Sequence, residues 1–224
     1  MIQPLIRKLR NKRVLFLDLD NTLYLYDPCH RHALRKTFET YRKLIERIPW
    51  ETFLRHYHHA RETVHRRLQG QAASHSRLLY FQILLELQLN RTDPKHSLYL
   101  EKIYWDAFLE RMQPVNWAHP FIKGWKAREK IFCIVTNLTA EIQMKKLQRL
   151  KLDQVLDFMV SSEEAGVEKP ASGIFRLALK KAGANPTQVL VMGDNPSQDR
   201  CRFLDFVRTS PHLFPREFTF LEHV

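Results

Sequence analysis

Val14-Leu15-Phe16-Leu17-Asp18-Leu19-Asp20-Asn21-Thr22-Leu23 joins a short apolar run to two carboxylates one residue apart. Such a run reads as a buried strand that opens onto a site. In open α/β sheets ligands collect at the carboxyl ends of parallel strands, so two acids there face substrate rather than bulk solvent. Alternation along an extended chain puts Asp18 and Asp20 on the same side. Two like charges held that close raise each other's cost of ionisation. A bound Mg2+ is the usual remedy, leaving one carboxylate as ligand and nucleophile and the other to carry protons. The competing reading is that both acids merely cap a loop or a helix.

Three downstream segments favour chemistry over capping. Ile131-Phe132-Cys133-Ile134-Val135-Thr136-Asn137 is a second buried strand, ending in a hydroxyl and an amide that suit a phosphate oxygen. Lys169-Pro170 stands ahead of the helical pattern Ile174, Leu177, Ala178 and Lys181, and supplies a point positive charge for a phosphoryl group. Val189-Leu190-Val191-Met192-Gly193-Asp194 is a third apolar strand that stops at an acid, with Asp199 close behind. Donors gathered from Thr136, Lys169 and the amides that follow Asp18, Leu19 first, match the negative charge that phosphoryl transfer spreads over the equatorial oxygens.

Taken together, Asp18-Leu19-Asp20-Asn21-Thr22, Thr136-Asn137, Lys169-Pro170 and Gly193-Asp194 through Asp199 resemble the four motifs of the haloacid dehalogenase superfamily of phosphatases. The resemblance spans nearly the whole chain. It implies a doubly wound, Rossmann-like parallel sheet core with an inserted all-helical cap, the core being residues 1–23 and 119–224 and the cap 24–118. It further implies that Asp18 attacks phosphorus to give an aspartyl-phosphate, while Asp20 protonates the leaving oxygen and then activates water. Mg2+ is expected on Asp18, the backbone carbonyl of Asp20, and Asp194, with Asp199 supporting the metal site or Lys169. Thr22 steadies the loop or caps a helix. The expected substrate is a small phosphorylated metabolite, a nucleoside monophosphate or a sugar phosphate, since Leu19 to Tyr24 resembles nucleotidase relatives. A phosphomutase on the same fold is the alternative enzyme. Dehalogenation fits less well, because the dehalogenases of this superfamily do without a second Asp and a metal.

Residues 24–118 lack buried β runs and are helical in periodicity. Ala33-Leu34, Phe38, Tyr41 and Leu44-Ile45 recur at helical spacing, as do Leu78-Leu79, Gln82-Ile83 and Leu87, and Leu100, Ile103-Tyr104 and Ala107-Phe108. Pro49, Gly70, Asp93-Pro94 and Pro114 punctuate them. Within this insert His75 and Arg77, in the polar stretch Ala72 to Arg77, are candidate substrate contacts. The plainer reading makes Ser74 or Ser76 the N-cap of the following helix, with Arg77 solvated. Tyr24, Tyr26 and His30 line an entrance or pack a hinge. His56, His58, His59 and His65 have helical spacing but no acid or cysteine partners, and Arg55, Arg61, Arg66 and Arg67 beside them repel a cation, so a solvated basic face is expected there and no zinc.

A chain of 224 residues with 44% hydrophobic content can bury one large core or two modest ones. Its apolar runs are strand-sized, far short of the roughly 18 residues of a membrane span, so no membrane partner is expected. Met1 to Arg13 is basic and acid-free, as transit peptides are, but Val14 already begins the first core strand. Cys29, Cys133 and Cys201 form no CxxC pair, which argues against a zinc ribbon or a disulfide framework and makes a reducing cytoplasm the simplest home. The net charge of +12 sits largely outside the catalytic segments, with five bases and no acid in residues 1–13 and 15 bases against 10 acids in residues 24–118. It serves to attract anionic phosphomonoesters, or, in the alternative of a catalytically silent protein, to bind nucleic acid. No helix-turn-helix or RNP-type motif supports the second. Beyond Asp199 the run Arg200 to Arg208 lacks the glycine turn usual in the family, and Pro211 and Pro215 discourage a long closing helix.

Overall fold

The computed structural model describes residues 12–45 and 47–195. The expectations for Asp199, for the glycine-free segment after it and for residues 1–11 lie outside the described residues. Within them the chain divides into two compact units, one being Leu25–Gln113 and the other the segments before and after it.

The first unit is an α/β core. Strands β1 (Val14–Leu17), β2 (Ile131–Thr136), β3 (Phe158–Ser161) and β4 (Val189–Met192) form one parallel sheet in the order β3-β2-β1-β4. Every residue of β1 is buried, as expected of a parallel strand covered on both faces, and its near-continuous apolar sequence follows from that. One face packs Val14, Phe16, Cys133, Val135 and Val191 with Ile174, Phe175 and Ala178 of the helix Ser172–Ala182. On the helix Ala118–Lys126, Trp125 is buried and its indole N–H bonds the carbonyl of Ile131 at 2.9 Å. The chain runs β1, β2, β3 in one direction and then crosses back to β4 on the far side of β1. The switch in direction therefore falls between β1 and β4, where the ends of parallel strands leave a crevice. Register places Leu17 opposite both Ile134 and Met192, so Asp18 emerges level with the ends of its two neighbours.

The second unit is helical. We number its helices α1 (Tyr26–Leu44), α2 (Trp50–Arg67), α3 (Arg77–Leu89) and α4 (Pro94–Arg111), with a 3-10 turn at Ala72–His75. Ser76 caps α3 by accepting from the Leu79 N–H at 3.3 Å, and Asp93 caps α4 by accepting from His96 N–H at 3.1 Å with Pro94 next in line. Asn90, left-handed at φ 52°, ends α3. The crossings between units are tied to the core: Tyr24 bridges Asp20 and Pro114, and Val115 N–H bonds the Leu23 carbonyl at 2.9 Å.

Several elements depart from the sequence pattern. Helix α3 buries Arg77, Tyr80, Phe81, Leu84 and Leu85, not the stripe through Leu78-Leu79 and Leu87, the last of which is exposed. An apolar residue on nearly every side leaves such a helix without a periodic face to read. Leu44 is exposed as well. Helix α2, expected only as a basic surface, has a core face of Phe53, Tyr57, Ala60 and Val64, with His58 and His59 on the exposed side and His65 half-buried against Tyr80. Among the described residues no helix is long and apolar enough to cross a membrane, and the cysteines Cys29 and Cys133 are buried thiols.

Candidate active site

The loop after β1 folds back on itself. Asp18 N–H bonds the Met192 carbonyl at 2.9 Å, extending the β1–β4 ladder, and Leu23 N–H returns to the Leu19 carbonyl at 3.0 Å. Between them Asn21 takes φ 61°, a left-handed conformation that Asn tolerates better than most residues. The reversal brings Thr22 beside Asp18. Its hydroxyl donates to Asp18 Oδ2 at 3.0 Å, lies 3.4 Å from Asp194 Oδ1, and accepts the Asp194 backbone N–H at 3.0 Å. Asn21 Nδ2 donates to Asp194 Oδ2 at 2.9 Å. One buried hydroxyl thus joins the acid after β1 to the acid after β4.

On the opposite oxygen, Lys169 Nζ donates to Asp18 Oδ1 at 2.7 Å, and both residues are buried. Asn137 fixes that lysine through its main chain: Asn137 Oδ1 accepts from Lys169 N–H at 2.7 Å and Nδ2 donates to the Lys169 carbonyl at 3.2 Å. Both ends of the Asn137 side chain are therefore occupied. Asn137 thus clamps the lysine, a role beside the phosphate contact expected of it.

Asp20 has its own shell. Lys146, fully buried on the helix Ala140–Arg149, donates to Asp20 Oδ1 at 2.5 Å, and Tyr24 Oη–H donates to the same oxygen. Gln143 Nε2, one helical turn before Lys146, lies 2.9 Å from Asp20 Oδ2, 2.6 Å from Thr136 Oγ1 and 2.9 Å from the Asn137 carbonyl. Burial alone pushes the Asp20 carboxyl up, but the Lys146 charge and the bonds from Lys146, Tyr24 and Gln143 outweigh it and hold the group below its usual value. Asp20 is a carboxylate at neutral pH, an acceptor with both oxygens engaged.

Of the residues singled out in the sequence, Asp18, Thr22, Lys169 and Asp194 converge, Asp20 and Thr136 sit beside them joined through Gln143, and Leu19 is buried between the two acids. The sequence reading missed Lys146 and Gln143. The available signal was a lysine and a glutamine in line with Ile142 and Leu147, on a face that should have been apolar. His75 and Arg77 lie in the helical unit. Arg77 is buried and not solvated, its guanidinium donating to the His75 carbonyl at 2.7 Å and to the Tyr26 hydroxyl. Ser76 provides the expected cap.

Asp194 is exposed and held by neutral groups, and the carboxylates of Asp18 and Asp194 approach a single hydroxyl from two strands. Hard oxygens in that number suit Mg2+, which takes one or two carboxylates and completes its shell with water and substrate. Among the described residues no three His, Cys, Asp or Glu side chains form a metal cluster.

Comparison with known proteins agrees with this geometry. A family model described as haloacid dehalogenase-like hydrolase matches residues 12–199. A ribulose-1,5-bisphosphate 5-phosphatase of Halopiger xanaduensis is 39% identical over 186 residues, 83% of this chain and 77% of that one. A pyrimidine 5'-nucleotidase of Escherichia coli K12 is 35% identical over 102 residues, 45% of this chain and 44% of that one. Among solved structures, a magnesium-bound HAD-hydrolase of Bacillus subtilis matches 86% of this chain and 84% of its own with a TM-score of 0.62 at 21% identity, a likeness of fold.

Proposed function

The chain belongs to the haloacid dehalogenase-like hydrolases and is one of their phosphatases, and from that premise we propose a Mg2+-dependent phosphomonoester hydrolase that works through an aspartyl-phosphate on Asp18. The observation that carries the reading is the pair of contacts on Asp18. Lys169 holds one carboxylate oxygen at 2.7 Å while Thr22 holds the other and reaches Asp194.

In the first half of the reaction an Asp18 oxygen attacks phosphorus and the bond from phosphorus to the leaving oxygen breaks. Lys169, fixed by Asn137, offers its ammonium to the transferring group, where negative charge spreads over the equatorial oxygens. In the second half Asp20 takes a proton from water, the resulting hydroxide attacks phosphorus, and Asp18 is regenerated with release of phosphate. Asp20 is held in the ionised form that a base requires, while the same contacts lower its affinity for the proton. Protonating the leaving oxygen needs a proton that Lys146 and Tyr24 oppose on Asp20, so good leaving groups should turn over fastest. Asp18, Asp194 and the Asp20 carbonyl would hold Mg2+, which when bound would supply charge neutralisation for the phosphoryl oxygens.

The substrate is a small phosphorylated metabolite. The relatives that act on ribulose 1,5-bisphosphate and on pyrimidine nucleotides point to sugar phosphates and nucleoside monophosphates as the classes to assay. Phosphate release is measured across such a panel with and without Mg2+, for the wild type and for Asp18→Asn. Turnover that needs Mg2+ and disappears in Asp18→Asn is expected. Inertness of the wild type on every ester with Mg2+, or activity retained by Asp18→Asn, overturns the proposal.

A further inference from the structure

Arg77 is the most unusual charge in the helical unit. It is 6% exposed and enclosed by rings, its guanidinium carbon lying 5.2 Å from the Tyr80 centroid, 5.4 Å from Tyr104 and 5.2 Å from Trp105. Its bonds go to the His75 carbonyl and to the phenols of Tyr26 and Tyr104, and among the described residues no carboxylate pairs with it. Cation–π contact offsets part of the desolvation of such a charge, yet buried guanidinium groups ordinarily meet an anion as well. Two donors in this cluster have no partner: Arg77 Nε–H, and the hydroxyl of Tyr57, which is fully buried. Tyr57 stands within the field of Arg77, and burial pushes its phenol up, so it keeps its proton and remains a donor. His30, stacked on Tyr26, is driven down to about 3 by burial and by the charge of Arg77 and so adds no second cation.

We propose that Arg77 and Tyr57 are the two anchors of an anion site within the helical unit, built for a small tetrahedral oxyanion of the phosphate class. Both residues pack on the Tyr80 ring, Tyr57 with its ring centroid at 5.9 Å and the Arg77 guanidinium carbon at 5.2 Å, so a guanidinium N–H and a phenolic O–H lie in one cluster, and an oxyanion entering it would satisfy both orphaned groups. Inorganic phosphate is the simplest ion of that class, and its direct binding does not rest on the phosphatase reading.

The decisive variant is Tyr57→Phe in the full chain. Because that hydroxyl has no partner, its removal should leave unfolding in phosphate-free buffer unchanged or slightly later, whereas a hydroxyl with a structural bond would show a loss. Inorganic phosphate, titrated against the thermal unfolding midpoint and by calorimetry with chloride at matched ionic strength as control, should bind the helical site of Tyr57→Phe about tenfold more weakly than that of the wild type. Arg77→Met should abolish this binding, and if it fails to fold, Tyr57→Phe decides alone. Equal phosphate binding by wild type and Tyr57→Phe, as expected if a buried water fills the gap, overturns the proposal whatever the enzyme assay gives.

Discussion

Replacing Lys146 with Met keeps most of the aliphatic stem and removes the ammonium from a fully buried position 2.5 Å from Asp20 Oδ1. Breaking a buried ion pair by deleting one partner typically costs about 3–5 kcal/mol, because the remaining charge is left uncompensated. Here the cost is lower, since the Asp20 side chain is 28% exposed and keeps the Tyr24 and Gln143 donors. About 2–3 kcal/mol is expected at pH 7, read as a shift in the urea midpoint with an unchanged slope. The pH dependence follows from the direction of the Asp20 shift. Its carboxyl is depressed below 3.8 in the folded protein, so the stability it contributes is fully present above that value and is lost as pH falls through the lower, folded one. The gap between wild type and Lys146→Met should therefore be constant from neutrality down to about pH 5 and narrow below 3.8. A gap under about 1 kcal/mol at pH 7, or one that stays constant under strongly acid conditions, would refute the view that Lys146 holds Asp20 as a charged group.

Thr22→Val removes the hydroxyl joining Asp18 to Asp194 and leaves a buried Asp18 oxygen short of a donor, for a loss of about 1–3 kcal/mol in stability and a lower kcat, measured by denaturation and phosphate release. Asn137→Leu unfastens the main chain of Lys169 without touching its ammonium, so turnover should fall about 10- to 100-fold, and recovery of full activity on every substrate would contradict the clamp. Ser76→Ala deletes the cap of α3 and should cost about 1 kcal/mol by urea denaturation, with kcat unchanged.

The sequence was legible where one physical demand dominated. Buried on both faces, β1, β2 and β4 have no polar alternation to confuse them, and the acids and Thr136 stand at their ends because ligands in this sheet class sit there, with Lys169 just ahead of the helix Ser172–Ala182. Strand β3 escaped notice because it has four residues, half of them only partly buried, and ends in Ser161. Lys146 and Gln143 escaped because a buried lysine makes sense only once its partner, 126 residues away in sequence, is in view. The clamp that Asn137 makes on Lys169 was not legible, since the partner lies 32 residues away in sequence and the residue type suits a phosphate contact equally well. In α3 the uniformly apolar sequence concealed which face turned inward, and with it the burial of Arg77.

Two acids one residue apart were expected to share a cation because each raises the cost of ionising the other. The structure divides that burden. Asp18 faces Lys169 on one side and Asp20 faces Lys146 on another, so each carboxylate has an ammonium of its own. On the proposed mechanism a divalent ion would act chiefly where Asp18 meets Asp194, the acid held by neutral groups, and where phosphate brings further negative charge. Raising Mg2+ should accordingly recover part of the activity lost in Thr22→Val, whose defect is the alignment of the two metal-facing carboxylates, and should recover little of that lost in Lys146→Met. Equal recovery of both variants along a Mg2+ titration of kcat/KM would mean that Asp20 and Asp194 draw on the same ion for their charge, and that Lys146 is not the counterion of the acid–base residue.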